Sequence, residues 1–266
     1  MIKEKLYSQS AKFFFNQRIN NKRIDNLPDY LNIKNINDAY KIQDELKYIY
    51  LSMKDNYLLG KKIGCTNKWA QKQINVTEPF YGNIFNKYHA VSDCKLLSSN
   101  FSEPYLEPEF SFRIKEDINI SKAPFTIEDT FNLVSKVMGS VEIVDFRFNK
   151  ELKDIGICNL IATNGASEYW IKSKNEFNID EVKLSNQPVK VYINDKFIEE
   201  GNSSNVLKNP INSLQWLINV LAEKGEALLK DNLISTGTCT LAIPMIKNSK
   251  IKVDFDNMGV IEFDYI

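Results

Sequence analysis

The sequence predicts an α+β protein, with a small helical N-terminal part over residues 1–56 and a mixed sheet or rolled barrel over residues 57–266. Three observations carry this expectation. Between residues 35 and 55 apolar side chains recur at helical spacing. From Leu58 onward the chain breaks into short apolar or alternating runs punctuated by Gly, Pro, Asn and Asp. Two segments with helix start and stop signals interrupt that later region, and no repeat or low-complexity linker divides it.

In chain order, Asn35 is placed to cap a helix with Asp38 in its first turn, and Ala39, Ile42, Leu46, Ile49, Tyr50 and Met53 form its apolar stripe. Gly60-Lys61-Lys62-Ile63-Gly64 reads as a strand and lacks the spacing of a phosphate-binding loop. The direction of Lys62 stays open: a solvated side chain, or a cation and proton donor beside an anionic substrate. Leu106–Ile114 reads as a strand, with Phe110, Phe112 and Ile114 alternating against Ser111 and Arg113. Thr126 and Asp129 resemble a capping box, which predicts a helix with Ile127, Phe131, Val134 and Met138 inward and Gly139 at its end. Val141–Phe148 then reads as a strand. Asn194-Asp195-Lys196 between two apolar runs predicts a hairpin, Leu214, Leu217 and Leu221 predict a helix ending at Gly225, and two runs around residues 251–255 and 260–263 close the β part.

Composition excludes several classes. Lys plus Arg and Asp plus Glu are both 34, and no basic run carries interleaved aromatics, which argues against nucleic-acid binding. Cys65, Cys94, Cys158 and Cys239 form no C-x-x-C pair, and His89 is the one histidine, so a zinc site of the usual kind is excluded. The polar N-terminus and the lack of any long apolar stretch predict a soluble cytoplasmic protein with free thiols.

The residues that point to chemistry are acids. In Leu106-Glu107-Pro108-Glu109, Pro108 holds Glu107 extended, and strand geometry sends both carboxylates to one side with Cα atoms about 6.5–7 Å apart. Such a pair reads either as a shared-cation site or as a solvated polar strand face. Glu142 shares a strand face with Val144, Phe146 and Phe148 and so needs a partner, either a metal or a cationic side chain across the sheet. Together the three would make an all-oxygen site suited to Mg²⁺ or Mn²⁺. Asp145 and Arg147, on the opposite face, form a local charge pair. Ser235-Thr236-Gly237-Thr238-Cys239-Thr240 reads as a stretch between strands, able to bind a carboxylate or simply to pack tightly. His89 reads as a surface or rim residue, and no nucleophile motif supports acyl transfer.

Taken in order, Asp38-Ala39-Tyr40-Lys41-Ile42-Gln43, Gly60–Thr66, Glu78-Pro79-Phe80-Tyr81-Gly82, Leu106–Glu109, Glu142–Arg147 and Thr236–Thr240 resemble the fumarylacetoacetate hydrolase superfamily. More narrowly, they resemble its 2-keto-4-pentenoate hydratase and 4-oxalocrotonate decarboxylase branch. The resemblance runs from about residue 35 to the C-terminus. It implies a mixed β-roll, a Mg²⁺ or Mn²⁺ ion on Glu107, Glu109 and Glu142, a catalytic Lys62, and substrate contacts at Tyr81, Asn159, Thr236 and Thr238. It also implies a cytoplasmic homo-oligomer, with a partner decarboxylase or hydratase in some cases.

The implied activity is a metal-dependent lyase that hydrates a 2-hydroxy-2,4-dienoate. The alternatives are decarboxylation of a 2-oxo-enedioate and a catalytically weakened binding or structural paralogue. Both reactions pass through a metal-bound enolate, so the glutamates do not separate them. Two departures bear on the choice. Hydratases of this group often carry Asp where this chain has Phe80, and Ala-Asp-Asn-Ala-Ser where it has Ile157-Cys158-Asn159-Leu160-Ile161.

Overall fold

The N-terminal apolar spacing becomes two packed helices, α1 (Ile2–Ile19) and α2 (Ile36–Leu51), which bury Tyr7, Phe14, Ala39, Ile42 and Leu46 in the main core. The computed structural model describes residues 2–31 and 33–266; residues 1 and 32, within the stretch expected to be helical, lie outside it. The Asn35 side chain accepts from the Asp38 backbone N–H at 2.8 Å and caps α2.

Extended structure begins with β1 (Leu58–Gly64), followed by α3 (Lys68–Ile74), β2 (Phe80–Phe85), β3 (His89–Val91), β4 (Cys94–Leu96) and the long β5 (Pro104–Ile114). After α4 (Ile127–Asn132) come β6 (Val134–Asp145), α5 (Leu152–Ile155), α6 (Ile157–Ala162) and β7 (Ser167–Lys172). The hairpin β8 (Pro188–Ile193) and β9 (Lys196–Asn202) turns on Asn194 and Asp195, both at positive φ as a tight two-residue turn requires. Then follow α7 (Pro210–Glu223), β10 (Leu233–Thr238), β11 (Ile243–Pro244), β12 (Ser249–Asp254) and β13 (Val260–Tyr265).

These strands form the expected mixed roll of two sheets. One runs β2-β1-β10-β5-β6-β7-β3, with β11 also on β5; the other runs β4-β13-β12-β8-β9. One apolar cluster joins them: Phe112, Val141 and Ile171 of the first sheet share it with Val191, Val253 and Ile261 of the second. Phe110 meets Phe255 edge to face at 5.5 Å between centroids. Among the described residues, no helix is long and apolar enough to cross a membrane.

Two expectations are corrected. The capping box forms, but α4 ends at Asn132, Ile127 and Phe131 are about 40% exposed, and Val134 and Met138 belong to β6. Their i, i+4 spacing coincided with a strand that pairs with both β5 and β7, and this two-sided ladder outweighs a one-sided helical contact. Gly139 is therefore no helix cap; it makes room for Phe255, whose ring atoms would lie 2.7–2.9 Å from a Cβ. The hydroxyl-rich run after Leu233 is likewise a strand, inserted between β1 and β5, with a bulge between Ser235 and Thr238.

Candidate metal centre and active-site cavity

Strand register puts the site on one face of the large sheet. Glu107 lies directly opposite Glu142, Glu109 opposite Ser140 on β6 and Thr238 on β10, and Ser235 links Ser111 of β5 to Lys62 of β1. Because side chains alternate, Phe110, Phe112, Val141, Ile143 and Ile234 fall on the other face and supply the core. A polar stripe from Lys62 to Glu142 is thereby backed by an apolar sheet.

One carboxylate oxygen from each of Glu107, Glu109 and Glu142 lies within 4.8 Å of the other two. Glu109 and Glu142 are buried, and Glu107 is half-buried. The Lys62 ammonium, also buried, stands 3.1 Å from Glu142 Oε2. That ion pair engages one Glu142 oxygen, while Glu142 Oε1 and Glu109 Oε1 have no hydrogen-bond partner. Buried carboxylate oxygens without partners are costly, and a divalent cation fits this hard-oxygen set.

The electrostatics agree. Burial, then the Glu142 charge, push Glu107 up to about 7, with Lys62 opposing. Burial, Glu142 and Glu107 hold Glu109 well above the usual range, against the Ser235 hydrogen bond and Lys62. Burial disfavours the Lys62 ammonium, but Glu142, Glu107 and Glu109 outweigh it and raise its pKa.

The centre opens into a cavity of about 970 Å³ lined by Lys62, Cys65, Phe80, Glu107, Thr238 and the apolar Trp69, Val144 and Leu160. Phe80 sits with its ring 5.3 Å from Lys62 Nζ. It fits only because Gly64 and Gly165 lack side chains: a Cβ at either would come within 2.4–2.5 Å of the ring. At the mouth, Arg23 pairs with Glu103 at 2.6 Å and Lys153 with Glu151 at 2.9 Å.

The structure brings Glu107, Glu109, Glu142, Lys62 and Thr238 together and leaves three expected contacts elsewhere. Tyr81 follows Phe80 on β2 and so faces away, stacked on Tyr40 with its hydroxyl accepting from Lys224. Thr236 precedes the bulge and donates to the Phe110 carbonyl on the core side, whereas the bulge returns Thr238 to the cavity. Asn159 lies in α6, where its amide donates to the Ile155 carbonyl, and it does not line the cavity. His89 stacks on Trp170. Asp145 and Arg147 pair at 3.3 Å as expected.

Sequence reasoning missed the groups behind Glu109. Its Oε2 accepts from Ser235 Oγ and from the Gly237 N–H. The available signal was the hydroxyl-rich run itself: it does bind a carboxylate, the chain's own.

No family model matches the chain. It is 28% identical over 235 residues to a 4-oxalocrotonate decarboxylase of Pseudomonas putida, covering 86% of this chain and 85% of the relative. It is 28% identical over 238 residues to a 2-oxo-hept-4-ene-1,7-dioate hydratase of Escherichia coli, covering 87% of each. The solved 4-oxalocrotonate decarboxylase from Pseudomonas putida G7, complexed with magnesium and adipate, superposes with a TM-score of 0.91 at 24% identity over 98% of both chains. With the motif order and the converging glutamates, these likenesses make the chain similar, over most of its length, to 4-oxalocrotonate decarboxylases and 2-keto-4-pentenoate hydratases, the branch that its motifs resemble.

Proposed function

We propose that the protein is a divalent-metal-dependent lyase that adds water to a short 2-hydroxy-2,4-dienoate. The observation that carries this is the convergence of Glu107, Glu109 and Glu142 beside a buried Lys62 at one end of a large cavity. Mg²⁺ or Mn²⁺ held by the three carboxylates would act as a Lewis acid toward a 2-oxo carboxylate and offset the negative charge that develops on its 2-oxo oxygen.

The chain's own groups do the rest. Glu107 faces the cavity, while Glu109 and Glu142 close the centre from behind. Lys62, charged and rich in donors, stands beside the reacting end and delivers the proton. Phe80 covers one side of the ammonium and keeps water from it. Thr238 spends its hydroxyl proton on the Thr240 carbonyl and so offers substrate only an acceptor.

A second reading, decarboxylation of a 2-oxo-enedioate, is favoured by a specific observation. Besides Glu107, the acids lining the cavity are Glu103 and Glu151, each already paired at the mouth, and Phe80 fills the wall beside Lys62. Water addition calls for a group that takes a proton from water, whereas loss of CO₂ calls only for a donor to the carbanion left behind.

Incubation with 2-hydroxypenta-2,4-dienoate and with 2-oxohex-3-enedioate, each in Mg²⁺ and in EDTA, separates the readings. Metal-dependent turnover of the first supports the hydratase and of the second the decarboxylase; turnover of neither refutes both and leaves a binding paralogue. The same reading carries a cytoplasmic homo-oligomer, which light scattering on the purified protein tests.

A further inference from the structure

Glu109 is fully enclosed, and its two oxygens have unequal surroundings. Oε2 accepts two hydrogen bonds, from Ser235 Oγ and, at 3.1 Å, from the Gly237 N–H; Oε1 has no hydrogen-bond partner. The Ser235 bond has a fixed direction. The Trp170 indole N–H, which can only donate, reaches Ser235 Oγ at 3.0 Å, and Ser111 Oγ donates to it at 3.2 Å. With both lone-pair positions engaged, the single Ser235 proton is left for the carboxylate.

The remainder of the cluster is closed. With the Ser111 proton given to Ser235, Ser140 donates to Ser111 at 2.6 Å. Ser111, Ser140, Ser235 and Trp170 are all buried, so the arrangement is insulated from competing solvent. The bulge in β10 supplies the second donor: Gly237 takes φ +105, and a Cβ there would lie 1.8 Å from Thr66 Oγ1, so only glycine lets its N–H turn onto Glu109.

We propose that Ser235, oriented by Trp170, is a positioning residue that ties down Oε2 of Glu109, turns Oε1 toward the divalent ion and thereby sets the affinity of the centre. The inference rests on the metal-centre reading above. Groups that orient a ligand from behind are typically worth about 10–100-fold in metal affinity.

Calorimetric titration of the EDTA-stripped full-length protein with MgCl₂ tests it. Ser235→Ala is expected to bind about 10–100-fold more weakly and Trp170→Phe by a smaller factor, while Ser10→Ala, an equal buried deletion within α1 that bonds only the Leu6 carbonyl, stays within about threefold. At an ion concentration well above its weakened Kd, Ser235→Ala is expected to recover the wild-type rise in melting temperature, which a merely structural lesion does not do. A wild type that binds no ion overturns the metal-centre reading and this inference together. A wild type that binds while Ser235→Ala binds equally tightly, or Ser10→Ala weakens as much, overturns this inference alone. Should Ser235→Ala fail to fold, unchanged affinity in Trp170→Phe overturns it.

Discussion

Removing a carboxylate should stabilise the metal-free protein at alkaline pH. Glu107 faces Glu142 directly across β5 and β6, with Glu109 beside it and Lys62 as the nearby cation, and burial together with Glu142 lifts its pKa from 4.5 to about 7. A group whose folded pKa is raised contributes stability fully below its unfolded pKa and loses it as pH rises through the folded value. At about 1.36 kcal/mol per pH unit the whole displacement amounts to about 3.4 kcal/mol, of which about 2.5 falls between pH 5 and pH 8. Partial exposure of Glu107 brings this toward about 2 kcal/mol, or roughly 4 °C in melting temperature for a chain of this length. The assay is thermal melting in EDTA at pH 5, 6, 7 and 8, for wild type and Glu107→Gln, whose difference cancels the other titrating groups. Wild type should lose stability relative to the variant as pH rises, and saturating Mg²⁺ at pH 8 should restore it. A wild-type-minus-variant difference that stays flat in EDTA from pH 5 to 8, or rises, refutes the reasoning.

Two further outcomes follow from the same centre. Lys62→Met leaves the buried carboxylates without their cation, so the metal-free melting temperature should fall by roughly 6–10 °C, matching about 3–5 kcal/mol for a broken buried pair. With the ion bound, kcat should fall about 10²–10⁴-fold through loss of the proton donor, read by steady-state kinetics on whichever substrate is turned over. Gly237→Ala forces a Cβ against Thr66 Oγ1 at a positive φ, and it should both lower the melting temperature and weaken Mg²⁺ binding in calorimetry.

The parts of the site legible in the sequence are those set by local periodicity. Glu107 and Glu109 converge because residues two apart on a strand must, and Pro108 secured the extended reading. Glu142 was marked by its apolar neighbours, and the structure gives it both readings left open, a lysine beside it and two carboxylates converging with it. The direction of Lys62 was not legible, because its face is chosen by pairing with β10, far along the chain. The bulge was equally hidden: without it Thr236 and Thr238 would share a face, whereas in the structure one meets the core and the other the cavity. Tyr81 was carried in by the resemblance, although alternation from Phe80 already sends it to the opposite side.

The insertion of β10 between β1 and β5 has a consequence for how the chain acquires its activity during synthesis. Before residue 238 emerges, the β1–β2 ribbon and the β5–β6–β7 sheet lack the one strand that pairs with both β1 and β5, so Lys62 and the three glutamates are not yet held in one continuous ladder. A strand made late relative to both pieces is thus what closes the centre, and a nascent chain cannot assemble it complete until residue 238 has left the ribosome.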